Sequence, residues 1–325
     1  MTNTSKKRPI HTIFGAGQVG RLLARELLGR GAEVRIVRRG EAGPTEPRLT
    51  WLRGDVTDPA VARGAAEGAE VIYNCTNPAA YHKWEELLPP LYGAIADAAA
   101  FSGARLVTLD NVYMYGDSEG TSMTEATPMN ATTKKGVLRA RLYRELQDRA
   151  DRGDFHFTTG RASDFFGPEA NVSAIFSERS YERLAAGKAV EVMGDPDQVH
   201  SYSYLPDVAR GLATLGTEPQ PDGGIFHLPV AWQGTTRDLL DLVAVALGHP
   251  AAKIRRLPNW FLGAAGTFVP LLAAVAEMTY QWDGPFHVDD QRFVETFGVR
   301  ATPMDVAVTE TVTWIRDQLL AENAA

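Results

Sequence analysis

Gly15-Ala16-Gly17-Gln18-Val19-Gly20 stands directly after an apolar run at 10–14 and directly before a helical pattern at 19–29. In a strand–turn–helix unit this GxGxxG spacing has a mechanical reading. The first glycine allows the tight turn, the second lets backbone approach a pyrophosphate, and the third lets helix and strand pack closely. Phosphate oxygens then meet free N–H groups at the positive end of the helix dipole. The alternative, a glycine-rich turn with no ligand, requires the surrounding strand–helix order to be accidental.

That order continues outward from the loop. Strands are predicted at 10–14, 33–38, 49–53, 70–74, 105–109 and 155–159, and helices at 19–29, 58–66, 84–101 and 132–149. Short apolar runs alternating with helical periodicity predict an α/β fold, a Rossmann-type doubly wound parallel sheet. The link 41–47 breaks the alternation, and its Gly and Pro predict a loop. Beyond Arg161 the alternation loosens, although 204–216 and 224–229 read as a helix–strand pair returning to the sheet. The expected organisation is a dinucleotide-binding domain over 1–165 plus about 195–232, with a smaller, mostly helical substrate region at about 166–194 and 233–325.

The chain has 325 residues, 44% hydrophobic and 22% charged, with a formal net charge of −7. An acidic balance argues against a general nucleic-acid or anionic-membrane binder. Lys6-Lys7-Arg8 reads as a solvated tail. The single cysteine, Cys75, excludes an intramolecular disulfide and a cysteine-cluster metal site, and the cytoplasm is the expected compartment. The apolar run 10–17 is too short for a signal peptide, and 259–276, interrupted by Pro270, predicts a buried helix rather than a span. No HExxH, histidine–carboxylate helix pair or GxSxG elbow appears, so no metal and no serine hydrolase site is expected.

At the end of the second predicted strand an NAD-preferring fold places a carboxylate on the ribose 2′-hydroxyl. Arg38 and Arg39 stand there instead. A guanidinium grips a 2′-phosphate with charge-assisted bonds, so the expected cofactor is NADP.

Further motifs follow in order: Gly54-Asp55-Val56, Asn74-Cys75-Thr76, Val112-Tyr113-Met114-Tyr115-Gly116, Arg161-Ala162-Ser163-Asp164-Phe165-Phe166-Gly167-Pro168 and Tyr204-Leu205-Pro206-Asp207-Val208-Ala209. Together with the glycine loop they make the chain resemble, over nearly its whole length, the extended short-chain dehydrogenase/reductase family, also called the NAD-dependent epimerase/dehydratase family. The resemblance implies that Gly15, Gly17, Gln18, Val19 and Gly20 hold the pyrophosphate, and that Asp55 and Val56 lie at the adenine. It implies that Cys75, Thr76 and Asn77 run along the adenosine ribose and phosphates, and that Ala162 and Ser163 lie near the nicotinamide. Asp55 also has a local reading, as part of a helix start before Asp58-Pro59.

The family's catalytic set is a Ser or Thr with a Tyr and a Lys four residues apart, the lysine lowering the tyrosine pKa so that it can exchange a proton. Here Asn111 takes the serine-like place; Asn130 stands four before Lys134 and Ala131 four before Lys135, so the tyrosine is missing. The GxGxxG shape is also commoner in the family's atypical branch, where this chain is placed. Asn111 is the candidate polarising group or a loop cap. Tyr113 is the candidate proton donor, with Tyr81 and His82 in reserve, and Lys134 the candidate ribose contact or a solvent-facing lysine. Tyr115, His200, Tyr202 and Tyr204 read as packing residues. Asp164 replaces an asparagine that in relatives holds a sugar diphosphate, and its charge opposes phosphate. Trp260, Phe261, Phe268, Tyr280, Trp282, Phe286 and Phe293 offer apolar surface for a pocket, or form the core of the smaller region.

The expected function is an NADP-dependent oxidoreductase acting on a carbonyl or conjugated double bond of a small, rather apolar, non-nucleotide molecule. The alternatives are a redox-neutral epimerase or dehydratase, and a catalytically silent NADP-binding sensor or scaffold. A monomer or a homodimer through the helices 84–101 and 132–149 is expected, the latter weakened by the arginines of the second helix.

Overall fold

The computed structural model describes residues 8–219, 224–257 and 269–324. Seven parallel strands form the central sheet: β1 (Ile10–Phe14), β2 (Glu33–Arg38), β3 (Leu49–Arg53), β4 (Val71–Asn74), β5 (Arg105–Asp110), β6 (Phe157–Arg161) and, later in the chain, β10 (Gly224–His227). Their order is β10-β6-β5-β4-β1-β2-β3, so the direction of winding reverses between β1 and β4. A crevice opens at such a switch point, outside the carboxyl ends of the strands.

Both faces of the sheet are covered, which is why its strands read as continuous apolar runs. On one face Phe14, Ile72, Leu106 and Phe157 pack under α2 (Pro59–Ala66), α3 (Trp84–Ser102) and α4 (Lys134–Asp151). On the other, Ile13, Ile36, Tyr73 and Val107 pack under α1 (Gln18–Gly29) and α6 (Leu205–Thr217). Consecutive residues such as Ile72 and Tyr73 thus serve opposite layers, as the period of a strand requires. The expected return to the sheet is made by α6, against α1, and by β10, beside β6.

The remaining elements build a smaller region with its own core: β7 (Asp164–Phe166) paired with β9 (Tyr202–Tyr204), β8 (Val190–Met193) paired with β11 (Ile254–Leu257), and helices α5 (Glu178–Ala185) and α7 (Thr236–Ala246). It also contains α8 (Pro270–Ala276), α9 (Tyr280–Asp283), α10 (Gln291–Phe297) and α11 (Met304–Ala324). Trp282 is buried in that core, whereas Phe286 is buried in a separate cluster with Val112 and Met114, and Phe293 in the sheet-side core with Leu212 and Phe226. Trp260, Phe261 and Phe268, and most of the long uncharged stretch, lie outside the described residues. No helix among the described residues is long and apolar enough to cross a membrane.

Predicted and observed strand limits coincide for β1 to β3. The sixth strand is displaced: 155–159 is predicted and Phe157–Arg161 observed. Gly160 and Arg161 look like strand terminators in the sequence, yet Arg161 pairs with Asp110 and with His227 in the ladder.

Candidate functional site

The glycine loop has the geometry its spacing demands. Gly15 sits at φ +103°, where a Cβ would lie 2.6 Å from the carbonyl oxygen of Cys75 at the end of β4. A Cβ on Gly20 would lie 1.9 Å from the Gly15 oxygen. Both positions are closed to any side chain. A Cβ on Gly17 would meet no protein atom within 4 Å, so this glycine borders open space at the start of α1. That helix begins without a capping side chain and without an acidic residue in its first turn. Orphan N–H groups at a helix start need acceptors, and here a phosphate suits them. The cradle therefore fits a dinucleotide pyrophosphate.

Gln18 does something the fingerprint does not call for. Its side-chain amide exchanges two hydrogen bonds with the Val172 backbone, donating to the oxygen and accepting from the N–H, each 3.1 Å. Beside it Glu169 accepts from Arg21 and Arg25, so the segment after β7 is tied across the mouth of the loop. Val19, in the first turn of α1, is buried in the sheet-side core.

Arg38 and Arg39 lie at the end of β2, and neither forms an ion pair with a described residue. Arg38 rests against the Trp51 ring, 5.9 Å from its centroid. Asp55 is exposed and bonds locally, accepting from the N–H and hydroxyl of Thr57, which with Arg39 holds its carboxyl below the usual range. The N-cap of α2 is Asp58, which accepts from the Ala60 N–H. Val56 is buried in the core below.

After β4, Asn74 ties Thr76 through two hydrogen bonds, burial pushes the Cys75 thiol up to about 12, and Asn77 accepts from Arg139 at 2.9 Å. Arg139, buried in α4, also lies 3.2 Å from Asp110 at the end of β5 and donates to Tyr92 at 2.7 Å. One guanidinium thus braces the loops that follow two neighbouring strands. The sequence analysis missed it because a buried arginine and a surface one look alike in a helix rich in both.

Ala162 and Ser163 follow β6, both buried, with the Ser163 hydroxyl donating to the Ser201 oxygen at 2.6 Å. Asn111 accepts from the Tyr113 N–H at 3.1 Å, which is the capping role, and its amide nitrogen makes no hydrogen bond to a described residue. Tyr113 is partly buried, 3.5 Å from the Tyr81 hydroxyl and stacked near Trp84. Desolvation, reinforced by Asp164, pushes its phenol up to about 12, so it is neutral at physiological pH. His82 is exposed. Tyr115 is structural: it accepts from the fully buried Arg161 and pairs with His227 Nε2, both at 2.7 Å.

The two lysines at the start of α4 differ in burial. The helix starts at Lys134 with Thr133 as its N-cap, and this phase leaves Lys134 exposed and turns Lys135 inward with Gly136 and Arg139. Lys135 Nζ donates to Glu277 at 2.6 Å and to the Ala274 oxygen at 3.0 Å, and lies 4.4 Å from the Tyr81 ring centroid. Counting from the missing tyrosine selects Lys134; the cap decides which lysine is turned inward. Asp164 and His200, read separately in the sequence, meet at 3.1 Å between Oδ2 and Nε2. Only the pairing of β7 with β9 brings these distant residues together. No group of side chains among the described residues is arranged to hold a metal ion.

Residues 12–228 match the model of the NAD dependent epimerase/dehydratase family. The chain belongs to that family. It is 24% identical over 245 residues to dTDP-glucose 4,6-dehydratase of an Actinoplanes species, covering 70% of this chain and 72% of that protein. Among solved structures, the Bordetella bronchiseptica enzyme WbmH in complex with NAD+ superposes with a TM-score of 0.72 at 18% identity, over 95% of this chain and 99% of that one. Thermotoga maritima UDP-glucose 4-epimerase with UDP-glucose superposes with a TM-score of 0.76 at 16% identity, again over 95% and 99%. At such identities the structural likeness speaks for the fold: an α/β Rossmann-type sheet with a smaller C-terminal region.

Proposed function

We propose that the chain is an NADP-dependent oxidoreductase that reduces a carbonyl or conjugated double bond of a small, rather apolar, non-nucleotide molecule. The observation that carries the reading is the uncapped start of α1 beside the open space at Gly17, with Arg38 and Arg39 at the end of β2 making no ion pair to a described residue. When bound, the nicotinamide ring supplies the hydride acceptor or donor. The chain's own part is to hold the dinucleotide through the glycine loop and the residues after β2 to β6, and to orient and polarise the substrate oxygen. For that, the Asn111 amide nitrogen and the Tyr113 hydroxyl are the candidate donors, both following β5 at the carboxyl edge of the sheet. Lys134, at the exposed start of α4, is the candidate ribose contact, and Lys135 is buried against Glu277 and Tyr81. Residues 166–194 and 233–325 would form the substrate region over this edge.

A redox-neutral reading, in which hydride leaves the substrate and returns during epimerisation or elimination, is about as well supported, since the named relatives are epimerases and dehydratases. Against a nucleotide-sugar substrate stands Asp164, whose charge opposes a diphosphate. The test is incubation with NADPH and a panel of ketones and enones, followed optically, alongside UDP-glucose and dTDP-glucose with NAD+ or NADP+ analysed for product sugars. Consumption of NADPH supports the oxidoreductase. An epimerised or dehydrated sugar without net cofactor change supports the second reading. No turnover in either arm favours a silent dinucleotide-binding protein.

A further inference from the structure

The family's tyrosine is missing, and a second polar pair lies near Tyr113 at the carboxyl edge of the sheet. Asp164 opens β7, directly beyond the end of β6. Its Oδ2 accepts from Trp282 Nε1 at 3.0 Å and faces His200 Nε2 at 3.1 Å. His200 is 2% exposed, held between the rings of Trp282 and Phe286, with Nδ1 3.0 Å from the Gln281 oxygen. A main-chain carbonyl only accepts, so Nδ1 carries hydrogen. Nε2 and a carboxylate oxygen cannot share a hydrogen bond unless a proton lies between them, whichever atom holds it. The contact is therefore a hydrogen bond only while a proton lies between Nε2 and Oδ2. Asp164 keeps 15% of its side chain exposed, and its Oδ1 makes no hydrogen bond to a described residue, so the carboxylate is the outlet of an otherwise buried pair.

We propose that Asp164, positioned and backed by His200, is the proton-transfer group of this site, acting on a neutral secondary alcohol or the corresponding ketone. The inference rests on the hydride-transfer reading. In the oxidative direction the substrate O–H bond breaks and its proton goes to Asp164 Oδ1. The oxidised nicotinamide, when bound, would supply the acceptor for the hydride of the adjacent C–H bond, which balances the formation of C=O. The return direction reverses each transfer. Asp164 is the catalytic residue and His200 a positioning residue. The other groups around the pair are the Tyr81 and Tyr113 hydroxyls, Tyr202 of β9, Gln281 of α9 and, beyond Tyr81, the Lys135–Glu277 ion pair.

Trp282 reports on the pair, because a protonated imidazole quenches a stacked indole. Tryptophan fluorescence of the full chain is titrated from about pH 4 to about pH 9, alone and saturated with NADP+ or NADPH. The expected result is an inflection that disappears in Trp282→Phe, Asp164→Asn and His200→Gln, with unfolding temperatures measured to confirm that each variant is folded. Its midpoint should differ by at least about 0.5 pH between the oxidised and reduced complexes, which differ by one positive charge at the ring the carboxylate serves. Absence of the inflection in the unsubstituted protein, or one midpoint in all three states, overturns the proposal while calorimetric binding of the dinucleotide leaves the parent reading standing. Failure of both dinucleotides to bind removes the parent reading, and this one with it.

Discussion

Substituting the two glycines at 17 and 20 separately divides stability from binding. In Gly20→Ala the new methyl would sit 1.9 Å from the Gly15 oxygen, with 3.4 Å to the Ile13 side chain on its other side. Carbon–oxygen contact needs well over 3 Å, so the turn or the first turn of α1 must move by about 1 Å or more. Overpacking of backbone against backbone belongs at the upper end of the usual range, about 3 kcal/mol. For a chain of this size that lowers the unfolding temperature by about 5 °C. Gly17→Ala meets no protein atom, and its φ of −74° suits alanine. Its stability should change by less than about 1 kcal/mol. Its methyl, however, enters the space assigned to the pyrophosphate, and affinity for the dinucleotide should fall at least about tenfold, or about 1.4 kcal/mol. Scanning calorimetry and titration calorimetry on the two variants read both quantities. Full affinity in Gly17→Ala would refute the placement of the phosphates, and undisturbed stability in Gly20→Ala would refute the close approach of helix and turn.

Two further outcomes follow from buried charges. Burial drops His11 and His227 from 6.5 to about 4, with arginines adding to the effect, so both are neutral in the folded chain. Their folded values lie below the unfolded value, so the stability they confer is complete above about pH 6.5 and is lost as pH falls toward 4, by about 3 kcal/mol per histidine; unfolding temperatures across that window should fall less steeply in His227→Gln than in the unsubstituted protein, and equal slopes would count against buried neutral imidazoles. Lys135→Ala leaves Glu277 without its partner in a half-buried setting and should cost about 2 kcal/mol in denaturant unfolding, whereas Lys134→Ala should stay within about 0.5 kcal/mol. The reverse ranking would mean that the helix phase is wrong.

The sheet was legible because its inner strands are buried on both faces and its strands are bracketed by turn residues, a pattern that needs no long-range information. The glycine loop was legible for a related reason: the positive φ at Gly15 and the contact at Gly20 are local demands that only glycine meets. What stayed hidden depends on register or on distant pairing. An N-cap at Thr133 rather than one residue away decides between Lys134 and Lys135. The Asp164–His200 contact exists only because β7 lies beside β9, and nothing in either segment alone announces it. Arg139 illustrates a third cause, since its burial follows from the acceptors Asp110, Tyr92 and Asn77 contributed by three other segments.

The most direct test of the central claim is calorimetric titration of the purified protein with NADPH, NADP+, NADH and NAD+, repeated on Arg38→Asp. The account predicts that the NADP forms bind more tightly than the NAD forms and that the substitution weakens them by about 1.5–3 kcal/mol, the scale of a charge-assisted hydrogen bond. Equal binding of NAD and NADP forms, unaffected by Arg38→Asp, would contradict the cofactor preference, and no binding of any of the four would contradict the dinucleotide site itself.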